Sequence, residues 1–155
     1  RRQRQMCIRD RQGPHNHQNA CAAYAAVRTL GVGPRSVEKA LESFRGLPHR
    51  SQLVTEIDGV VFINDSKATN VDSAIKALET FSKVHWICGG EQKENDISRL
   101  NNALANVKKA YVIGTDTAKF SSQISCEFEI SNTMDKAVKN AFKDAKDGET
   151  ILGSE

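Results

Sequence analysis

The residues best suited to chemistry follow one apolar segment, in the stretch VVFINDSKATN (60–70). After the pattern of a buried strand, the chain places a carboxylate, an ammonium group and hydroxyls side by side. Asp65 can accept from a ribose diol or neutralise a cation, and Lys67 is a point charge suited to phosphate or carboxylate. Thr69 and Asn70 lie at the predicted start of a helix, where free N–H groups and the helix dipole favour the binding of anions. The alternative is a polar loop in which Thr69 or Asn70 only caps the helix.

Two further loops follow apolar segments and could contribute to the same site. GGEQKEND (89–96) follows VHWIC, and GTD (114–116) follows AYVI. In open α/β sheets ligands bind beyond the carboxyl ends of the parallel strands, so all three loops are candidates for one site. Taken alone, GGEQK favours a simple glycine turn. The sequence contains neither GxxxxGK[ST] nor GxGxxG.

Hydrophobic spacing predicts the elements that position these loops. An Ala-rich helix is predicted near residues 19–30, stopped by Gly31, and a second helix with Ser36 as its N-cap. Beyond Leu47-Pro48, the residues around Asp58-Gly59 have the pattern of a two-residue β-hairpin. Strands and amphipathic helices then alternate, which predicts an α/β fold with a mixed, mainly parallel sheet flanked by helices. One of these helices is predicted from the spacing of Ile97, Leu100, Leu104 and Val107.

Composition restricts the class of protein. The chain has 155 residues, 39% hydrophobic and 26% charged, so a packed core is feasible and wholesale disorder is not expected. No apolar run approaches the roughly 20 residues of a transmembrane helix, and no signal-peptide pattern is present. The four scattered cysteines favour reduced thiols in a cytoplasmic protein. His15 and His17 could suggest a metal, but two histidines in a loop are usually structural, so we predict no metal site in this chain.

The net charge of +3 is concentrated at the N-terminus. Five arginines and Asp10 give +4 within residues 1–11, so the other residues together carry −1. One interpretation is a basic arm that binds nucleic acid. We favour another, because MCIRD (6–10) resembles an in-frame translation of a transposon-end sequencing adapter, ATG TGT ATA AGA GAC. Residues 1–11 are therefore treated as a non-native segment, and no nucleic-acid partner is expected.

Four segments occur in the order and rough spacing found in the Mur ligases: HNHQNACAA, GLPHR, INDSKATN and GGEQK. The chain resembles this family from about Gly13 to Leu152, most closely the members that add D-glutamate. The resemblance implies an ATP- and Mg²⁺-dependent ligase of peptidoglycan precursor synthesis. Such an enzyme joins D-glutamate to UDP-N-acetylmuramoyl-L-alanine through an acyl phosphate. It also implies a monomer, with residues 12–46 ending a central ATPase domain and 47–155 forming most of a Rossmann-like C-terminal domain.

The resemblance further implies roles for eight residues. Nucleotide contacts are expected from residues that match adenine, ribose and phosphate positions, and D-glutamate contacts from residues that match its carboxylate partners. A catalytic role is expected for one residue that borders the acyl phosphate and one in the linker that faces the nucleotide. The nucleotide-binding residues are Asn16, Asn19, Arg50 and Asp65, the catalytic residues are Lys67 and His49, and the D-glutamate-binding residues are Thr69 and Lys93.

Some parts of the family pattern are not in this sequence. The P-loop lysine, the main magnesium ligands and a modified lysine are expected upstream of it, and residues 153–155 depart from the family's continuation. We therefore expect the isolated chain to be inactive. The alternatives are another Mur ligase, a folylpolyglutamate synthetase-like ligase, or a non-catalytic α/β binding module with a basic arm for nucleic acid.

Overall fold

The computed structural model describes residues 14–90 and 96–154, except the side chain of His15. It divides into two compact units, with the boundary between Leu47 and Pro48. The first unit contains α1 (Pro14–Thr29) and α2 (Pro34–Ser43).

The end of α1 and the start of α2 each have a residue whose backbone suits that position. Gly31 has a φ of 82°, and the Val32 N–H donates to the Val27 carbonyl at 3.2 Å, which is the long bond of a Schellman cap. The prediction of Gly31 as the stop is confirmed. The predicted N-cap at Ser36 is wrong, because α2 begins after Gly33 with Pro34 in its first turn. Proline suits that turn since it lacks an N–H that would be unpaired there.

The second unit opens with the predicted hairpin. β1 (Gln52–Ile57) pairs antiparallel with β2 (Val60–Asn64). Asp58 and Gly59 have φ angles of 52° and 75°, as a type I′ turn requires at both central positions. The hairpin register places Gln52 opposite Asn64, so the beginning of β1 lies beside the end of β2.

The hairpin is one side of a six-stranded sheet with the order β1-β2-β6-β3-β4-β5. All neighbours except β1 and β2 are parallel, which confirms the predicted mixed, mainly parallel sheet. The last strand is inserted between β2 and β3, so its carboxyl end lies beside that of β2. The four remaining strands are β3 (Val84–Gly89), β4 (Val107–Ile113), β5 (Phe128–Asn132) and β6 (Thr150–Gly153).

Helices cover both faces of the sheet. On one face α3 (Val71–Thr80) and α4 (Thr117–Ser121) close a core that includes Leu78, Trp86 and Val112. On the other, α5 (Met134–Asp144) packs Ala137 and Ala141 against a smaller core of strand residues. This division follows from right-handed crossovers, because the chain reverses its direction across the sheet after β5. In the described parts of the chain, no helix combines the length and apolarity needed to span a bilayer.

The helix predicted from Ile97 to Val107 is wrong. The segment forms two 3₁₀ turns, Ser98–Asn102 and Leu104–Asn106, and Val107 begins β4. Steps of three residues, from Ile97 to Leu100 and from Leu104 to Val107, fit a 3₁₀ turn as well as an α-helix, so the spacing did not distinguish them. Two asparagine side chains of the segment form hydrogen bonds with other parts of the chain. Asn101 donates to the Gln123 carbonyl and Asn106 to the Leu78 carbonyl.

A polar network, buried at His85, Tyr111 and Glu149, links the sheet to α5. The His85 ring places Nε2 2.9 Å from Glu149 Oε2 and Nδ1 3.1 Å from the Tyr111 hydroxyl. That hydroxyl donates to Asp144 Oδ2 at 2.9 Å, which also accepts from Lys109 Nζ at 2.8 Å. The chain of contacts joins β3, β4, α5 and the residue before β6. Its members are satisfied by one another, as buried polar groups must be.

The network favours ionised carboxylates. Burial acts to raise the pKa of Glu149, but hydrogen bonds from His85 and a backbone N–H outweigh it, and the pKa is lowered. Hydrogen bonds from the Lys109 ammonium lower the pKa of Asp144 and of Glu129. A carboxyl whose pKa is lower in the folded state stabilises the fold above its ordinary pKa. That contribution is lost as the pH falls through the lowered value.

We therefore expect the free energy of unfolding to fall as the pH is lowered from about 5 toward 2. Glu149→Gln should destabilise the chain by about 1–3 kcal/mol at pH 7, because a neutral amide has one acceptor oxygen and bonds more weakly to His85 and to the Lys146 N–H than the carboxylate does. The difference from wild type should shrink in acid. Urea unfolding at a series of pH values measures this, with the exposed Glu79→Gln as the control. A deficit for Glu149→Gln that is constant with pH would contradict the role of its charge.

Candidate functional site

The stretch VVFINDSKATN forms β2, a tight loop and the start of α3. Asn70 is the N-cap of α3, and its Oδ1 accepts from the Ser73 N–H at 2.9 Å. The capping interpretation therefore holds for Asn70, whereas Thr69 is exposed and makes no cap to this helix. A capping role does not account for the polar side chains between Asn64 and Thr69.

Asp65 connects three segments of the chain through hydrogen bonds. It is only 7% exposed, and its Oδ1 accepts from the Ser51 N–H at 2.7 Å and from the Ser51 hydroxyl at 3.5 Å. Its own N–H donates to the Gly153 carbonyl at 2.7 Å. The turn before β1, the end of β2 and the end of β6 therefore meet at one carboxylate.

The turn before β1 has an unusual backbone. His49 and Ser51 have φ angles of 63° and 45°, conformations that cost a non-glycine residue on the order of 1–2 kcal/mol each. Three hydrogen bonds hold His49 there. Its N–H donates to Gln52 Oε1 at 2.9 Å, its carbonyl accepts from the Lys67 N–H at 3.0 Å, and its Nδ1 lies 3.1 Å from Asn64 Nδ2. The turn and the loop after β2 thus form one bonded unit.

The structure brings five of the eight predicted site residues to this unit. Arg50 lies between the two strained residues, and its side chain is exposed, as is that of Lys67. Two exposed cationic side chains therefore belong to the same bonded unit as a buried carboxylate, a combination of charges suited to a polyanionic ligand. The five residues are His49, Arg50, Asp65, Lys67 and Thr69.

The other three predicted residues are not among the described residues of this bonded unit. Asn16 and Asn19 are on α1 in the first unit, three positions apart and hence on one side of that helix. Lys93 lies outside the described residues. Across residues 14–90 and 96–154, no group of three or more histidine, cysteine or acidic side chains could hold a metal ion.

The glycines of GGEQK are not a simple surface turn. Gly89 has a φ of 129°, and a Cβ there would lie 2.2 Å from the Ile113 carbonyl oxygen. A Cβ on Gly114 would lie 2.9 Å from Gly90 Cα. Close approach therefore requires glycine, and Gly89 and Gly90 meet Ile113 and Gly114 where β3 and β4 end.

Several contributors were not assigned from the sequence. Ser51 and Gln52 follow GLPHR but carry no chemical signal of their own, and Asn64 lies inside INDSKATN without an assigned role. The expected departure of residues 153–155 from the family pattern stays a prediction. Gly153 belongs to β6, and the buried Ser154 Oγ accepts from Trp86 Nε1 at 2.7 Å.

Comparison with known proteins identifies relatives of this arrangement. Residues 49–154 match the family model described as Mur ligase, glutamate ligase domain. The UDP-N-acetylmuramoylalanine–D-glutamate ligase of Ruegeria pomeroyi is 56% identical over 145 residues, which are 94% of this chain and 31% of that protein. The enzyme of the same name from Jannaschia sp. is 48% identical over 141 residues, 90% of this chain and 31% of that protein. The chain thus spans about a third of the length of these relatives.

Solved structures share the fold at low sequence identity. MurF ligase from Thermotoga maritima in complex with ADP superposes with a TM-score of 0.71 at 20% identity, covering 92% of this chain and 35% of that one. E. coli FolC in complex with ADP gives a TM-score of 0.67 at 24% identity, covering 92% of this chain and 36% of that one.

The Asp65 contact makes a prediction about stability. Asp65→Ala leaves the Ser51 N–H without its acceptor, so the free energy of unfolding should fall by about 1–3 kcal/mol. Ser51→Ala removes only the 3.5 Å hydroxyl contact and should cost less than about 0.5 kcal/mol. Chemical denaturation of both variants provides the test. Equal losses would mean that the backbone bond to Asp65 does not hold the turn.

Proposed function

Because this chain belongs to the Mur ligase family, we propose that it is part of an enzyme that adds D-glutamate to UDP-N-acetylmuramoyl-L-alanine with ATP. The observation that carries the proposal is the bonded unit of the turn at 48–51 and the loop at 65–70. It supports the proposal because the residues for which we predict nucleotide and acyl-phosphate contacts belong to one bonded unit, within a segment that is about half identical to enzymes of that name.

The proposed reaction has two steps. An oxygen of the substrate carboxylate attacks the γ-phosphorus of ATP, and the bond between that phosphorus and the bridging oxygen breaks to release ADP. The D-glutamate amine then attacks the acyl carbon, the carbon–oxygen bond to phosphate breaks, and the nitrogen loses a proton as the amide forms. Both steps develop negative charge on phosphate oxygens, which positioned cations and N–H groups stabilise.

The residues of the unit divide these tasks. Asp65 already accepts from Ser51, and a carboxylate has lone pairs for a ribose hydroxyl as well. Arg50 is suited to two parallel bonds with a ribose or phosphate edge. The Lys67 ammonium extends from a backbone that the His49 carbonyl anchors, and it would neutralise the acyl phosphate. Thr69, with Lys93, would contact the D-glutamate carboxylates.

The remaining expectations are part of the same proposal. The unit boundary between Leu47 and Pro48 supports assigning residues 12–46 to the end of a central ATPase domain and 47–155 to the C-terminal domain. Asn16 and Asn19 would contact adenine from the first of these. Mg²⁺ accompanies ATP in the proposed reaction, and the described residues offer it no cluster of three or more histidine, cysteine or acidic ligands. A cytoplasmic monomer without a nucleic-acid partner remains our prediction.

A chimera tests the proposal. Residues 14–154 of this chain would replace the matching segment of the Ruegeria pomeroyi enzyme, and phosphate release would be followed with D-glutamate, L-glutamate and other amino acids. We expect activity that requires D-glutamate. Activity with another amino acid would indicate a sister ligase or a folylpolyglutamate synthetase-like enzyme instead.

In this chimera Lys67→Met should lower kcat about 10²–10³-fold, because a positioned charge acts mainly on the developing phosphate charge. Lys76→Met, an exposed lysine on α3, is the matched control and should leave kcat within about twofold. A folded chimera whose kcat is unaffected by Lys67→Met would contradict the catalytic role of that lysine.

A further inference from the structure

Asn64 is fixed from three sides. Its backbone lies in the sheet, paired with Gln52 of β1 and with Gly153 of β6. Its side-chain Oδ1 accepts from the Ser66 N–H at 3.0 Å. Only the oxygen of an amide can accept, so this bond sets which way the amide points. The NH₂ group must therefore face the ring of His49, 3.1 Å from Nδ1.

The orientation of this amide determines where the His49 proton lies. An amide NH₂ can donate but has no lone pair with which to accept. His49 Nδ1 must then be the acceptor, so it carries no proton. In a neutral imidazole one nitrogen is protonated and the other is not, which places the proton of His49 on Nε2.

The other polar atoms of His49 are already engaged. The backbone N–H donates to Gln52 and the carbonyl accepts from the Lys67 N–H, so the residue cannot shift without breaking the turn. Among the residues that the structure describes, Nε2 is the polar atom of His49 with no hydrogen-bond partner, and the ring is exposed. The one group left for a ligand is a fixed Nε2–H.

We propose that Asn64 is a positioning residue that makes His49 a hydrogen-bond donor through Nε2. In this state Nε2 has no free lone pair, so the neutral ring binds an anionic oxygen and does not take up a proton as a general base. Identifying that oxygen with a phosphate of the nucleotide or of the acyl phosphate rests on the proposed function. The tautomer itself does not.

Ring ¹⁵N shifts of the 155-residue chain test the proposal, because protonated and unprotonated imidazole nitrogens have well-separated shifts. At about pH 8, where histidine is ordinarily neutral, His49 should show an unprotonated Nδ1 and a protonated Nε2. Asn64→Asp retains an acceptor for Ser66 but presents only acceptors to the ring. The two ring assignments should therefore exchange, with the proton moving to Nδ1. His49→Gln identifies the signals.

Asn70→Asp is the matched control. It adds the same charge six residues further along, and aspartate is as good an N-cap as asparagine, so α3 should form normally. The His49 tautomer should stay as in wild type. If Asn64→Asp does not fold, Asn64→Ala removes the donor and should move both ring shifts toward the average of the two tautomers.

Unchanged His49 shifts in a folded Asn64 variant would overturn the proposal, as would the same reversal in Asn70→Asp. Adding ADP to the chimera described above, whose remaining segments come from the Ruegeria pomeroyi enzyme, separates the proposal from the proposed function. A shift of the Nε2 resonance in wild type, smaller in Asn64→Asp, supports both. A reversal of tautomer without any response to ADP supports the positioning role and counts against a nucleotide contact at His49.

Discussion

The buried carboxylate of Asp65 is the contact on which the functional edge depends. It holds the Ser51 N–H from the turn before β1, and its backbone N–H is bonded to the end of β6. The strained φ angles of His49 and Ser51 persist because these bonds, and the bond between His49 and Lys67, offset their cost. The side chains of the candidate site thus project from a segment whose backbone is held in place by these hydrogen bonds.

The inserted strand β6 connects this edge with the rest of the domain. At one end, Gly153 accepts from Asp65 and Ser154 accepts from Trp86 in the main core. At the other, Glu149 joins the buried network through His85. The polar network that links the sheet to α5 therefore contributes stability, while the opposite end of the same strand positions the candidate site.

Much of the fold could be predicted from local pattern, but the site geometry could not. Asp58-Gly59 determines its hairpin within two residues, and alternating strands and helices indicate a parallel sheet. The position of β6 between β2 and β3 depends on pairing between distant segments, which local spacing does not encode. The spacing of Ile97, Leu100 and Leu104 was ambiguous for a similar reason, since it fits either kind of helix. INDSKATN identified the chemistry, but the burial of Asp65 and the positive φ of Ser51 arise only when three segments meet.

Amide hydrogen exchange of the Ser51 and Lys67 N–H groups is the most direct measurement of this central contact. Both amides lie outside regular secondary structure, yet they donate to Asp65 and to the His49 carbonyl. We expect both to be protected well beyond the neighbouring Arg50 amide, which makes no hydrogen bond with the described residues. We also expect Asp65→Ala to remove protection at both sites together. Exchange of Ser51 and Lys67 at the rate of Arg50 in the wild-type chain would contradict the account.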